Sequence, residues 1–224
     1  MSLANNQPRI GAKFITDTRN FADRVRDPAT AADDSSHAHQ APDRRRWAAA
    51  LMHHWPTWLA IALVALTAGG GDSLKGLSEA LLLFALGYLA AAVLQRRQAT
   101  WLVAVVIVAA FAALRLQDWV DPSVVLLVAA VAFVLWGAVR GQLWPPGAVT
   151  LETAAMLGFT AIALAAVSVD QDLGRYIVAA GWVGHAAWDF AHYRADKVVS
   201  RSFAEWCAVF DFLRGAAIVV LPML

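Results

Sequence analysis

A single cysteine, Cys207, stands among the 224 residues, so no disulfide can form within the chain. Charge is scarce too. Charged residues make up 16% of the sequence and hydrophobic residues 59%, whereas a water-soluble domain carries about 25% and about 45–50%. That shortage excludes an ordinary water-facing exterior. No phosphate-binding glycine loop and no dinucleotide-binding glycine pattern occurs. The basic residues form only short loop clusters, so no nucleic-acid partner is expected.

The apolar excess is gathered in blocks. Seven segments read as spanning helices: 47–68, 77–94, 100–116, 122–139, 149–169, 173–192 and 203–221. Each is near the ~20 residues that a helix needs to cross a hydrocarbon core. Barrel strands would be about half as long and would alternate in polarity. Turn chemistry marks the breaks, at Gly69-Gly70-Gly71, Asp121-Pro122 and Trp144-Pro145-Pro146-Gly147. Most of the ten tryptophans lie toward segment ends, as interfacial anchors do. The expected fold is an all-α polytopic bundle of seven spanning helices, residues 47–224, in the lipid bilayer of the plasma membrane.

Loop charge orients it. Arg44–Arg46, Arg96, Arg97, Arg140, Arg194, Lys197 and Arg201 all fall on one side of such a bundle. The other side holds Asp72, Lys75, Asp118, Asp121, Asp170, Asp172 and Arg175. Positive residues stay inside, so the N-terminus is expected in the cytoplasm and the C-terminus outside. Residues 1–46 form a polar tail. Within it, Ile10, Phe14, Phe21 and Val25 recur at helical spacing beside basic residues, which suggests an amphipathic surface helix over 10–27. A disordered tail with chance periodicity is the alternative. Residues 28–46 read as a flexible linker.

Ionisable residues inside a spanning helix are costly and point to function. His185, Asp189 and His192 share one face of the sixth segment at i, i+4, i+7. Cys207, Asp211 and Arg214 repeat that spacing in the seventh. Counted inward from the loop between them, Asp189 and Asp211 lie roughly 10 Å deep and His185 and Arg214 roughly 15 Å deep. The two stripes are therefore expected to meet rung by rung, with His53 and His54 at a similar depth. The outer half looks nearly bare apart from Arg115 and the acids close to the loops.

Three readings follow. In the first, His185, Asp189, His192 and His54 ligate a metal, zinc being the natural fit. Asp211 then serves as general base and Arg214 as oxyanion or phosphate contact, in a hydrolase for a lipid-like substrate. In outline this resembles the seven-helix intramembrane metallohydrolases, the group that includes alkaline ceramidases and progestin/adiponectin-type receptors. That resemblance implies zinc held by histidines with an aspartate nearby. The family's histidine pair in the last helix is replaced here by Cys207 and Asp211. In the second reading, His54 and His185 are axial ligands of a haem lined by Trp182 and Trp188, or the site takes a quinone. In the third, the same residues form a buried polar network, in a small proton-coupled transporter or an accessory subunit with a membrane-protein partner. The seventh segment has no lysine, which argues against a retinal Schiff base.

Overall fold

The computed structural model describes residues 51–67, 73–117 and 119–221. The expected surface helix and linker of the tail lie outside them. Among the described residues the chain is all-helical, without a strand. Seven helices form the body that runs from His54: α1 (Trp55–Thr67), α2 (Leu74–Leu94), α3 (Thr100–Arg115), α4 (Pro122–Val139), α5 (Ala148–Ser168), α6 (Gln171–Ala195) and α7 (Arg201–Val220). A single 3-10 turn, Arg97–Ala99, leads into α3. Four stretches are long and apolar enough to cross a membrane: Leu74–Leu94, Arg97–Arg115, Pro122–Val139 and Ala148–Ser168.

Local chemistry sets the helix ends. The side chains of Ser73, Asp121 and Asp170 accept the backbone N–H groups of Gly76, Ser123 and Leu173, which caps α2, α4 and α6. Pro56 and Pro122 sit in first turns, where a missing N–H costs nothing. Gln95 and Asp196 close α2 and α6 in the left-handed conformation, and their N–H groups reach back to Ala91 and His192.

Consecutive helices alternate in direction. The His54–Glu205, Trp55–Trp101, Arg97–Asp196 and Gln142–Val93 contacts gather the starts of α1, α3 and α7 with the ends of α2, α4 and α6. The Lys75–Asp121, Arg115–Glu79 and Arg214–Thr67 contacts gather the opposite ends. Helix α2 is the core, packed against α3, α4, α5 and α6. Leu81, Leu89, Ala90 and Val93 on it are fully buried. Helices α6 and α7 form the most extensive pair, and α1 lies along α7.

Small residues permit that closeness. A Cβ at Gly215 of α7 would lie 3.0 Å from the Ala179 carbonyl oxygen of α6. One at Gly174 would run into the Ala166 carbonyl of α5. Both glycines therefore serve close backbone approach.

Candidate functional site

His185 and Asp189 stand one turn apart on the face of α6 that meets α7, and Asp211 of α7 faces them. All three are completely shielded, at 0% exposure. His185 Nδ1 lies 2.7 Å from Asp211 Oδ2, and Asp189 Oδ2 lies 3.4 Å from the same nitrogen. One ligand atom from each residue falls within 4.8 Å of the others. His185 Nε2, both Asp189 carboxylate oxygens and Asp211 Oδ1 have no hydrogen-bond partner among the described residues. The rings of Phe159, Tyr88 and Phe84 pack at 4.7, 5.6 and 6.3 Å from the imidazole.

Two carboxylates cannot both stay charged and uncompensated in such a place, because each buried ion costs several kcal/mol. Protons or a cation must neutralise them. The donor set of one imidazole and two carboxylates suits zinc or another divalent ion. The unpartnered oxygens and Nε2 are the atoms that such an ion would satisfy.

The other sequence candidates stand in separate groups. His192 turns to α5, where its Nε2 lies 2.8 Å from Glu152 Oε1. Its Nδ1 is 3.0 Å from the Trp188 carbonyl, which can only accept, so Nδ1 carries a proton. The His192–Glu152 contact then holds one more proton, shared between an imidazolium–carboxylate pair and its neutral form. Trp188 Nε1–H also donates to Glu152, at 3.2 Å. His54 Nδ1 lies 2.8 Å from Glu205 Oε1, which also accepts from Thr57. His54 and His185, the two axial ligands of the haem reading, thus belong to different groups. Trp182 is buried beside the ring of Phe84.

Arg214 departs from its expected rung. Its Nη1 donates to Thr67 Oγ1 at 3.4 Å, and it lines a cavity of about 620 Å³ with Arg115, Phe84, Phe111, Trp182 and Phe210. His185 meets Asp211 in place of Arg214. The cause is the loop. Helix α6 runs to Ala195 and α7 begins at Arg201, so the turn centres on Val198; His185 and Asp211 stand equally far from that centre, and Arg214 lies about one turn farther on.

Two further features escape the sequence reading. Tyr88 of α2 stands between the groups, its ring 5.6 Å from His185 and 5.0 Å from His192. Glu79 of α2 is 2% exposed and anchors a network in the half expected to be bare. Ser123 Oγ–H donates to it at 2.9 Å, and Arg115 Nη2 lies 2.7 Å from its other oxygen, off-axis for a hydrogen bond. Lys75 sits 3.8 Å from Glu79 and bonds Asp121 at 2.7 Å. The available signal was the i, i+4 spacing of Lys75 and Glu79 just after the cap at Ser73.

No protein family, curated protein or solved structure matches the chain. Its function must be argued from its own residues.

Proposed function

We propose that the chain spans the plasma membrane seven times, N-terminus inside and C-terminus outside. In this reading His185, Asp189 and Asp211 hold a zinc ion used to hydrolyse a lipid-like substrate. The spanning count rests on helices that alternate in direction and on α6 and α7, whose 25 and 20 residues match the apolar helices beside them in length. The orientation rests on Arg96, Arg97, Arg140, Arg194, Lys197 and Arg201, which share one end of the bundle.

The observation that carries the metal is the shielded triad, with a ligand atom from each residue within 4.8 Å and four polar atoms that make no hydrogen bond. Asp211 then becomes a ligand in place of a general base. Zinc would polarise the substrate carbonyl and acidify water. Water oxygen bonds to the acyl carbon, the acyl–heteroatom bond breaks, and the leaving group takes the proton. Arg214, on the neighbouring cavity, suits a negative group of the substrate. The rings of Phe84, Trp182 and Phe210 line that cavity, and they must part for substrate to reach His185.

Elemental analysis of the detergent-purified chain tests this. Near-stoichiometric zinc is expected, lost in His185→Ala and Asp211→Asn together with hydrolysis of a fluorogenic acyl lipid. A zinc-free protein after chelator-free purification from zinc-supplemented cells would sink the reading. The 2.7 Å His185–Asp211 bond favours a second reading, a proton-holding network in a transporter or an accessory subunit. A protonated-carboxyl infrared band lost in Asp189→Asn would support it. Iron in place of zinc would favour haem, which needs His54 released from Glu205.

A further inference from the structure

At the basic end of the bundle, α5, α6 and the turn before α3 enclose a groove of about 710 Å³. Its floor is mainly apolar, with Ala148, Leu151, Trp188 and Ala191 along the helix faces. Its rim is charged, with Arg97, Asp196 and Lys197.

The rim is built with strain. Asp196 has φ 50°, and Val198 has φ 70°, a conformation that β-branched residues avoid. Val199 N–H donates to the Lys197 carbonyl at 2.9 Å, which makes 197–199 a γ-turn of the rare positive-φ kind. Arg97 clamps the turn from the side. Its Nη2 bonds Asp196 Oδ1 at 2.6 Å and its Nη1 bonds the Asp196 carbonyl at 3.0 Å. Such strain persists only where the surroundings enforce it, and it gathers at ligand sites. Here the effect is to hold Lys197 over the mouth of an apolar groove.

We infer that this groove binds one anionic phospholipid, its phosphodiester at Lys197 and Arg97 and its acyl chain along Leu151 and Trp188. Charge selects the headgroup, because Arg96, Arg194 and Arg201 add to the positive field at this end. The apolar floor selects a lipid over free phosphate, which has no use for Leu151 at 51% exposure. The inference rests on the chain being embedded in the bilayer and is independent of metal at His185.

Native mass spectrometry of the full chain in detergent, titrated with phosphatidylglycerol and phosphatidylcholine, reads the site directly. Wild type should retain phosphatidylglycerol preferentially. Lys197→Gln should weaken it about fivefold, the worth of one basic residue near an anionic headgroup. Leu151→Trp fills the groove without changing charge and should weaken it as well. Arg140→Gln removes a charge from the same end outside the groove and should weaken retention much less than Lys197→Gln does. An Arg140→Gln loss equal to that of Lys197→Gln, no effect of Leu151→Trp, equal retention of phosphatidylcholine, or displacement by inorganic phosphate would each overturn the assignment. Zinc content of Lys197→Gln should match wild type, so failure here is separable from failure of the metal reading.

Discussion

Helices α3 and α4 and helices α6 and α7 have opposite relations between hydrophobicity and burial. Only 6% of the apolar window at Arg97–Arg115 and 17% of that at Pro122–Val139 is buried, although both are apolar enough to span. Helices α6 and α7 fall outside the apolar-span group, yet they bury His185, Asp189 and Asp211 completely. In water this pattern would be inverted. In a bilayer the solvent is itself apolar, so a valine gains little by leaving it and packing contacts become the driving force. A carboxylate there must find a partner inside the protein. The most hydrophobic helices thus form the exposed apolar wall, and the polar helices bury the ionisable residues. Helix α2 is the instructive third case, apolar and 78% buried because its neighbours surround it.

The sharpest way to break this contrast is to truncate one residue of each kind. Asp211→Ala removes one member of a buried charged group and should cost about 3–5 kcal/mol. Val105→Ala, on an α3 position at 61% exposure, should stay within about 0.5 kcal/mol. Reversible unfolding in mixed micelles measures both. Equal costs would mean that the wall and the site are not distinct.

Much of this contrast was legible in the sequence. The breaks at Asp121-Pro122 and Trp144-Pro145-Pro146-Gly147 place α4 and α5 within a residue of the expected bounds, because prolines and glycines act locally. The shared face of His185 and Asp189 follows from helical phase alone. The register of α7 on α6 was not legible, since it depends on where the turn between them centres, at Val198, and loop residues carry no periodicity that fixes that point. The expected match of His185 with Arg214 failed for that reason. Glu79 was missed because its partners Arg115 and Ser123 come from other helices, and one-dimensional spacing carries no information about which helices touch. Glu152 is likewise the buried partner of His192, a pairing across two helices that spacing along either one does not show.

Glycine substitutions act on the same contrast at smaller amplitude. Gly174→Ala sets a methyl group against the Ala166 carbonyl and Leu74, and backbone cannot swing away. Overpacking of that kind should cost about 1–3 kcal/mol. Gly158→Ala on α5 meets nothing within 4 Å and should be neutral or stabilising by up to about 1 kcal/mol through helix propensity. Loss of stability at Gly158 as large as at Gly174 would show that Gly158 is covered by something other than lipid.

The smallest effect belongs at the acidic end of the bundle. The Lys75 ammonium, followed by the Ser123 backbone N–H, holds the Asp121 carboxyl below its ordinary value of 3.8. Its folded pKa is lowered, so the stability from this contact is full above pH 3.8 and is lost as pH falls through the folded value beneath it. Asp121→Asn keeps the helix cap, because asparagine caps as well as aspartate, and removes only the charge. The gap in melting temperature between wild type and Asp121→Asn should therefore be small at neutral pH, shrink on acidification, and shrink also with added salt, since the pair is exposed. A gap that survives both treatments would mean that Asp121 acts through the cap or through packing. The polar end would then be held, like the apolar wall, by contacts indifferent to charge.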